Sequence, residues 1–375
     1  MKQQKIYQKD YTLGAFCQIV GVPQNLPKDI QENYVQVIHS DGVGTKSNVA
    51  YIAVKEGFGK RILHTLPQDA VVMNTDDMAC VGITNDIYIS NHIARNSNRI
   101  DDEALAEIIS GYADLYKSMG DQGIRLYNAG GETADVGSYT TTMGIDVTAT
   151  AIIEKKKIID CSNIKPNQYI VGLSSYGQST YENKENSGVR SNGLTLVINS
   201  ILSPYYRKYE EVMDGTVDKE KLFAGKYRLE DKLEGTSLTI LEAILSPTRT
   251  YLPVIDKMFA NNVKVSGIIH CSGGALTKSI NFGKNIAYIK DNVSKIAVPP
   301  LFREIQEIRN IDDYNMYQTL NMGIGMEMIA ESLEDANKII EISKGFNIQA
   351  EIIGTTAYSE EGNRVEILGK LIYTK

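Results

Sequence analysis

Residues 34–46, which read YVQVIHSDGVGTK, decide the predicted fold. Their first six residues alternate between apolar and polar side chains as a strand does, and the chain then breaks into the glycine turn DGVGTK. Lys46 could contact a phosphate oxygen there as a point charge. The turn lacks the spacing of a Walker A loop, no G-x-G-x-x-G follows a strand, and G-x-S-x-G is missing. The sequence therefore supports neither a P-loop enzyme, nor a Rossmann dehydrogenase, nor a common α/β-hydrolase.

Strand-like and helix-like segments alternate outward from this stretch. Over residues 101–120, apolar residues recur at three- and four-residue steps behind an acidic start, which predicts an amphipathic helix. The β-branched, apolar run at 143–153 predicts a buried strand. Further predicted elements are strands at 124–127 (ending at Gly130-Gly131-Glu132-Thr133), 169–173, 264–269, 321–329 and 350–353 (stopping at Gly354), and a helix at 333–346 capped by Ser332. We therefore expect a mixed α/β fold in both halves of the chain.

The chain of 375 residues exceeds what one hydrophobic core usually serves, so we expect two domains. The best junction is the lysine-rich stretch at 154–157 with Lys165-Pro166-Asn167 just beyond it. It predicts an N-terminal domain at 1–165 and a C-terminal domain at 166–375. Two polar segments interrupt the second half: insert 1 at residues 176–189 and insert 2 at residues 205–235. The composition of each favours a mobile surface loop.

Composition excludes several classes of protein. The chain is 42% hydrophobic and 23% charged, with no apolar run near the ~20 residues that cross a bilayer, as is typical of a soluble globular protein. A net charge of -7 argues against nucleic acid as a partner. Residues 1–10 lack the apolar region of a secretory signal, and the four cysteines form no C-x-x-C pair. We expect a cytoplasmic protein with no membrane or nucleic-acid partner.

Acidic residues next to glycine turns recur along the first half. They are Asp41 in DGVGTK, Asp76 and Asp77 in MNTDDM, Glu132 and Asp135 in GGETAD, and Asp146 in GIDVT. A hard cation such as Mg²⁺ binds carboxylate oxygens together with water and phosphate, and acids from separate strand ends can supply them. The alternative for any single acid is a turn or helix cap, because Asp beside Gly is a common turn signal. Taken together, the acids favour a nucleotide–metal site.

Three motifs in the second half carry groups that suit an anionic ligand. His270 precedes Gly273-Gly274, whose amides could face an anion, so His270 is either a proton donor or phosphate ligand or an ordinary structural residue. Ser191-Asn192-Gly193 offers two hydrogen-bonding side chains and a flexible glycine. The segment SPTRTY at 246–251 offers the guanidinium of Arg249, which suits a carboxylate or a phosphate.

The order of these motifs is more specific than any one of them. DGVGTK, an acidic pair, GGETA, SNG, SPTRTY, HxxGG and NxGxGM follow one another, and from about Tyr34 to the C-terminus the chain resembles the aminoimidazole ribonucleotide synthetase (phosphoribosylformylglycinamidine cyclo-ligase) family. DGVGTK and GGETA also resemble the wider superfamily, which includes formylglycinamidine ribonucleotide synthetase, selenophosphate synthetase, thiamin-phosphate kinase and a hydrogenase maturation factor. SPTRTY with HxxGG is closer to the cyclo-ligase.

The resemblance implies an architecture and a reaction. It implies two α/β domains, the first of which pairs across a homodimer into a β-barrel-like core with ATP in a nearby cleft. In the implied reaction, which belongs to purine biosynthesis, ATP phosphorylates the formyl oxygen of formylglycinamidine ribonucleotide. An amidine-side nitrogen then attacks that carbon, and loss of phosphate closes the imidazole ring. Such a reaction needs Mg²⁺, a cation near the phosphoryl oxygens and a dry cleft.

The resemblance also implies roles for individual residues. The implied catalytic residues are Lys46, Arg249 and His270. The implied ATP-binding residues are Asp41, Gly42, Gly44, Thr45, Lys46, Gly130, Gly131, Glu132 and Thr133. The implied substrate-binding residues are Ser191, Asn192, Gly193, Thr248, Arg249, Gly273 and Gly274, and the implied metal ligands are Asp41, Asp77 and Glu132.

Four features depart from the resembled family. The segment before DGVGTK is short, Arg190 stands where that family has His before SNG, an Asp76-Asp77 pair replaces Asn-Asp, and both inserts are longer than usual. They leave two alternatives open. One is another ATP-using enzyme of the superfamily, of which a selenophosphate synthetase would need a reactive cysteine and has only Cys17 as a candidate. The other is a catalytically silent dimer that binds nucleotide.

Overall fold

The structure, a computed structural model, describes residues 14–375. The expectation about a secretory signal concerns residues 1–10 and lies outside the described residues. The first half forms β1 (Ile19–Gly21), α1 (Lys28–Asn33), β2 (Tyr34–Gly42), α2 (Lys46–Lys55), α3 (Leu66–Ala79), β3 (Ile87–Arg95), α4 (Asp102–Asp121), β4 (Leu126–Asp135) and β5 (Met143–Glu154).

The second half continues the alternation with shorter elements. They are β6 (Tyr169–Ser174), β7 (Tyr176–Gly177), β8 (Asn186–Ser187), α5 (Leu194–Ile201), α6 (Ile240–Ile244), α7 (Leu252–Ala260), β9 (Val265–His270), β10 (Ile286–Lys290), α8 (Pro300–Arg309), α9 (Asp313–Thr319), β11 (Ile324–Ala330), α10 (Leu333–Gly345), β12 (Ala350–Tyr358), β13 (Arg364–Ile367) and β14 (Leu371–Thr374). Short 3₁₀ helices occur at Lys60–Thr65, Lys155–Lys157, Cys161–Asn163, Pro204–Lys208, Glu210–Val212, Lys219–Lys221, Ala275–Asn281 and Val293–Lys295.

The first sheet has the strand order β1-β2-β5-β3-β4, in which β3 and β4 run parallel and the other neighbours antiparallel. Helix α3 covers one face of β2 and β5, so β5 alternates between buried and exposed residues instead of being buried on both faces as predicted. On the opposite face, Ile38, Tyr88 and Ile152 are 53%, 51% and 53% exposed. Within residues 14–375 this sheet is open, and a barrel formed with a second chain stays a prediction.

The second sheet has the strand order β14-β13-β10-β12-β6-β11-β9, with β10 and β13 parallel and the other neighbours antiparallel. Every residue of β11 is buried, including Glu327, which accepts hydrogen bonds from Lys290 Nζ at 2.6 and 2.7 Å. The chain therefore has a two-domain mixed α/β fold with a mixed sheet in each half. The boundary between residues 165 and 166 stays a prediction. None of the described helices is long and apolar enough to cross a membrane.

Two predicted strand ends are wrong because glycine was taken as a stop. β4 continues through Gly130–Thr133, and β12 continues past Gly354. A Cβ on Gly131 would clash with the Asn91 carbonyl of β3, and one on Gly354 would clash with the Ile289 carbonyl of β10. These glycines let neighbouring strands approach closely, which is the other common reason for glycine inside a strand.

The remaining predicted elements are confirmed with small shifts of their ends. The helix predicted at 101–120 is α4, and the Asp101 side chain accepts a hydrogen bond from the Ala104 amide as its N-cap. The helix predicted at 333–346 is α10, and Ser332 caps it through the Asp335 amide. The strands predicted at 169–173, 264–269 and 321–329 are β6, β9 and β11.

Both inserts pack in part into the molecule, whereas residues 214–221 of insert 2 are exposed. Their buried residues include Ser187, Val189, Tyr206, Phe223 and Leu229. Insert 2 is folded into 3₁₀ turns and contacts α2, where the Tyr51 hydroxyl donates to Glu211 at 2.6 Å. The sequence of insert 2 does not indicate this packing, because its apolar residues are too widely spaced among charged ones to form a periodic pattern.

We expect Lys290→Met to lower the free energy of unfolding by about 3–5 kcal/mol, because it leaves the buried Glu327 carboxylate without its cation. Lys290→Met combined with Glu327→Leu removes both charges and should recover most of that loss. Urea denaturation followed by circular dichroism measures each variant. A loss below about 1 kcal/mol for Lys290→Met would contradict the burial of this pair.

Candidate active site

Helix α3 joins the two halves of the chain through buried acids. It packs on β2 and β5 of the first sheet and on α7 and β9 of the second half. Asp69, Asp76 and Asp77 are all buried on this helix. A buried acid needs hydrogen bonds or a cation. Asp69 and Asp76 find such partners in the SPTRTY segment of the second half, and Asp77 finds one in His270 at the end of β9.

Asp69 accepts hydrogen bonds from Lys46 and Thr248, two residues that the sequence suggested as ligand-binding. Lys46 Nζ donates to Asp69 Oδ1 at 2.6 Å and to the Ser246 carbonyl at 2.7 Å. The Thr248 amide and hydroxyl donate to the same carboxylate oxygen at 3.0 and 2.6 Å. Burial lowers the pKa of Lys46, against the effect of Asp69. In this arrangement Lys46 and Thr248 are engaged by the protein itself, so their ligand-binding roles stay predictions.

Asp76 acts as a cap, which is the alternative that the sequence left open for each of the acids. It accepts hydrogen bonds from the Thr250 hydroxyl at 2.7 Å and from the Tyr251 amide at 3.0 Å. Tyr251 is the N-cap residue of α7. Burial raises the pKa of Asp76 to about 7. This carboxylate therefore fixes the SPTRTY segment to α3.

Asp77 lies between two imidazole rings. Its Oδ1 is 2.5 Å from His270 Nδ1, and its Oδ2 is 3.3 Å from His39 Nε2. Burial alone would raise the pKa of Asp77, but the hydrogen bonds from His270 and His39 outweigh burial and hold the pKa well below its usual range. Asp77 is therefore ionised, and the protein uses both of its oxygens.

The ionised Asp77 fixes where His270 carries its hydrogen. A carboxylate can only accept, so His270 Nδ1 is the donor. Burial, together with the charge of Arg190, lowers the pKa of His270 to about 3, and the ring is neutral. Its Nε2 therefore has a free lone pair, is fully buried and has no partner within residues 14–375. The sequence suggested a proton donor or a phosphate ligand, whereas this geometry favours a proton acceptor.

Asn74 sets the orientation of His39. The Asn74 amide nitrogen donates to the carbonyls of Asp41 and Ala70 at 3.2 and 2.8 Å, so its oxygen accepts from His39 Nδ1 at 2.8 Å. His39 Nε2 then faces Asp77. Burial would lower the pKa of His39, but the contact with Asp77 outweighs it and raises the pKa.

The Arg249 guanidinium is enclosed by the protein. Its Nε and Nη2 donate to the two oxygens of Glu182 at 2.9 and 2.5 Å. Its other hydrogens go to the carbonyls of Ser174, Tyr176 and Gly177 at 3.0, 2.8 and 2.9 Å. The guanidinium binds a carboxylate, as its chemistry suggested, but that carboxylate is the side chain of Glu182 in insert 1. A catalytic role for Arg249 stays a prediction.

At the turn after β2, the charge of Asp146 acts on the Asp41 carboxylate. Asp41 and Gly42 end β2, and Gly44 and Thr45 lead into α2. The Asp146 carboxylate of β5 lies over Gly42, in the space that a Cβ there would need. Burial and the neighbouring charge of Asp77, with a smaller contribution from Asp146, raise the pKa of Asp41. A bound cation would stabilise this arrangement.

The GGET segment lies apart from that turn. Gly130, Gly131, Glu132 and Thr133 belong to β4, which is separated from β2 by β5 and β3. Three strand spacings amount to roughly 14 Å. The structure therefore does not bring Glu132 to Asp41 within one chain. In the part of the chain that the structure describes, no group of three or more His, Cys, Asp or Glu residues could hold a metal ion. The metal set Asp41, Asp77 and Glu132 stays a prediction.

Two predicted substrate segments do meet. A Cβ on Gly273 would lie 3.6 Å from Asn192 Nδ2, which places Gly273-Gly274 beside Ser191-Asn192-Gly193. The Ser191 hydroxyl is buried without a partner in residues 14–375. Both segments lie next to residues of the buried network, since Arg190 precedes one and His270 precedes the other.

Sequence reasoning missed several residues of this site. They are His39, Asp69, Asn74, Glu182 and Lys278. His39, Asp69 and Glu182 gain their roles from residues far away in the chain, which no local pattern reveals, whereas Lys278 donates to Ser272 only six residues before it. The one available signal was on α3, where Asp69 and Asn74 belong to a set of polar residues in a helix that also contains many Ala, Val and Met residues. Buried polar residues in such a helix indicate partners elsewhere.

Cys17 does not have the surroundings of a reactive cysteine. Its side chain is buried, and burial raises the pKa of its thiol to about 12. The thiolate is the reactive form, so this thiol is inert near neutral pH. The finding counts against the cysteine-dependent alternative.

Two family models match the chain. The AIR synthase related protein N-terminal domain matches residues 18–153, and the C-terminal domain of the same family matches residues 225–365. The chain is similar to proteins named phosphoribosylformylglycinamidine cyclo-ligase. The one from Methanocaldococcus jannaschii is 31% identical over 343 residues, which cover 91% of this chain and 83% of that protein. The one from Methanococcus maripaludis is 33% identical over 332 residues, which cover 88% of this chain and 80% of that protein.

A solved structure supports the fold. "T. maritima PurL complexed with ADP" matches with a TM-score of 0.52 at 13% sequence identity, covering 97% of this chain and 45% of that longer chain. The two family models include the residues of the buried network, with Asp77 in the first and His270 in the second. The chain therefore belongs to the AIR synthase-related family of enzymes.

Proposed function

We propose that this chain catalyses the ATP-dependent closure of formylglycinamidine ribonucleotide to aminoimidazole ribonucleotide in purine biosynthesis, with release of ADP and phosphate. The observation that carries the proposal is the buried His270, whose Nε2 lone pair has no partner in residues 14–375 while Asp77 holds Nδ1. Relatives named for this activity match the chain over 83% and 80% of their own length.

Ring closure needs a proton acceptor beside the attacking nitrogen. ATP supplies the phosphoryl group that activates the formyl oxygen of the substrate. In the proposed reaction, His270 Nε2 accepts the proton that the amidine nitrogen loses as it attacks the formyl carbon. Asp77 holds the ring in this orientation and stabilises the positive charge that the ring then carries. The complete burial of His270 keeps bulk water away from that proton.

The acids at the turn after β2 could hold a magnesium ion. Asp41 and Asp146 carry charges that influence each other there, and carboxylates are the ligands that Mg²⁺ prefers alongside water and phosphate oxygens. In the proposed enzyme these two residues would hold the ion. Asp77 is a weaker candidate than the sequence suggested, because both of its oxygens already accept from histidines. Glu132 of the same chain lies on a distant strand.

The proposed enzyme is a homodimer that forms through the open face of the first sheet. Ile38, Tyr88 and Ile152 give this face its apolar character, and nearly every residue of β4 is exposed. An exposed apolar patch of this kind marks an interaction surface. Pairing of two such faces is the barrel-like arrangement that the family resemblance implies, and most soluble oligomers have this twofold symmetry.

A second candidate is an ATP-using enzyme of the same superfamily with a different small-molecule substrate. Arg190, at the position where the resembled family has His, favours it. Its guanidinium is buried and donates to the Gly325 carbonyl at 2.7 Å, and its Nε has no partner among residues 14–375. A buried polar group beside a substrate segment changes which analogues that segment accepts.

A coupled assay tests the proposed function. Purified protein is mixed with formylglycinamidine ribonucleotide, ATP and Mg²⁺, and ADP and the diazotisable aminoimidazole are measured together. We expect equal amounts of both products. ADP without the imidazole would support the second candidate, and binding of ATP without turnover would indicate a catalytically silent protein.

We expect His270→Gln to lower kcat by roughly 10²- to 10⁴-fold, because the amide nitrogen or oxygen cannot replace the imidazole as a base. Asp77→Asn should lower kcat by a similar factor, since an amide no longer fixes the ring with Nε2 free. His64→Gln is the matched control, because His64 pairs with Asp114 of α4 and not with Asp77. Unchanged turnover in Asp77→Asn would contradict the role given to this pair.

We expect Ile38→Asp to convert a dimer into a monomer, because it places a charge in the centre of the proposed apolar interface. The matched control is Ile109→Asp on α4, where the side chain is 53% exposed, as it is in Ile38. Light scattering coupled to size-exclusion chromatography measures the mass of each. A monomeric parent protein, or a dimer in both variants, would contradict the proposed interface.

A further inference from the structure

A cleft lies between the start of insert 1 and the connection from α10 to β12. Its volume is about 470 Å³, which is within the range of roughly 300–1,000 Å³ that small-molecule sites occupy. None of the residues that line it is among those that we assign to ATP, to the metal ion or to the ribonucleotide. The cleft is therefore separate from the proposed active site.

Hydrogen bonds hold the two walls of this cleft together. The side-chain amide of Asn347 donates to the Gln178 carbonyl at 2.6 Å, and the backbone amide of Ser174 donates to the Gln349 carbonyl at 2.8 Å. All four residues line the cleft. The walls are therefore in place before a ligand binds, as they are in most small-molecule sites.

Two opposite charges line the cleft without pairing. Lys344 lies on the last turn of α10, and Glu351 lies on β12. Within the described part of the chain, neither side chain has a hydrogen-bond or ion-pair partner. Their charged atoms are therefore more than 4.0 Å apart, which is the limit for an ion pair. Opposite charges that line one cleft without neutralising each other are complementary to a ligand that carries both charges.

Three carboxamide side chains add acceptor oxygens to the cleft. Gln178, Asn347 and Gln349 each donate an amide hydrogen to a backbone carbonyl, at 3.0, 2.6 and 2.9 Å. Among residues 14–375, no donor reaches any of their side-chain oxygens. Acceptor oxygens grouped with a carboxylate suit an ammonium group, which has three hydrogens to donate.

We propose that this cleft binds a free α-amino acid, whose carboxylate pairs with Lys344 and whose ammonium group pairs with Glu351 and the carboxamide oxygens. Charge-assisted hydrogen bonds are stronger than neutral ones, and a zwitterion satisfies both charges of the cleft at once. Tyr176, Ile340 and Ile348 offer apolar surface for the side chain of the ligand. The site goes beyond the proposed function and does not depend on it.

The cleft shares a wall with the contacts of Arg249. The carbonyls of Tyr176 and Gly177, two residues that line the cleft, accept hydrogen bonds from the Arg249 guanidinium at 2.8 and 2.9 Å. A bound amino acid would therefore stabilise the start of insert 1. Exchange of the backbone amide hydrogens at residues 176–182 should slow when the ligand binds.

Thermal unfolding and isothermal titration with the standard L-amino acids test the site. We expect at least one of them to raise the melting temperature of the full-length protein and to bind it saturably. Lys344→Gln and Glu351→Gln should each weaken that binding by about 10- to 100-fold, because each leaves one charge of the ligand unpaired. Lys338→Gln and Glu341→Gln are the matched controls, because both residues lie on α10 and neither lines the cleft.

Derivatives of the bound amino acid test each charge separately. Its methyl ester lacks the carboxylate and its N-acetyl derivative lacks the ammonium group, so each should bind the parent protein about tenfold or more weakly. Lys344→Gln should remove the difference between the acid and its ester, and Glu351→Gln the difference between the free amine and the N-acetyl derivative. The site would be overturned by an unchanged melting temperature with every amino acid at about 10 mM, by equal binding to the parent and both variants, or by unchanged exchange at residues 176–182. Each of these results is independent of the coupled assay.

Discussion

The burial of three carboxylates on α3 is the constraint on which the rest of the structure depends. Charges taken out of water are costly unless they meet donors or cations, so Asp69, Asp76 and Asp77 can be buried only where such partners are present. Each acid has at least one such partner in the second half of the chain, more than 150 residues away. The two sheets are therefore joined by polar contacts that tolerate little displacement, which is the rigidity that a proton-transfer site needs.

This constraint gives a structural role to residues that the sequence suggested as catalytic. Lys46 and Arg249 carry the charges that an ATP site needs, yet each faces a carboxylate of the protein. Their charges balance buried acids and tie the DGVGTK turn and insert 1 to the core.

The sequence was sufficient to predict the family, the mixed α/β class and most elements, because these follow from local periodicity and from the order of motifs. It misplaced the ends of β4 and β12, since a glycine that ends a strand and one that lets strands approach look alike. The network of buried ion pairs and hydrogen bonds could not be predicted from the sequence. The pairing of Arg249 with Glu182, or of His39 with Asp77, is decided by tertiary contacts between residues with no shared local pattern.

Acids and cations both act on the buried network around Asp77. Asp77 raises the pKa of Asp41, whereas the hydrogen bonds from His270 and His39, together with the charge of Lys278, lower the pKa of Asp77 itself. The neutral His270 lies with Asp77 at the meeting point of the two halves. In the proposed reaction, the reacting atoms of the substrate would lie beside His270. Because this ring is neutral and Asp77 holds its Nδ1, the free lone pair of Nε2 is available for the proton.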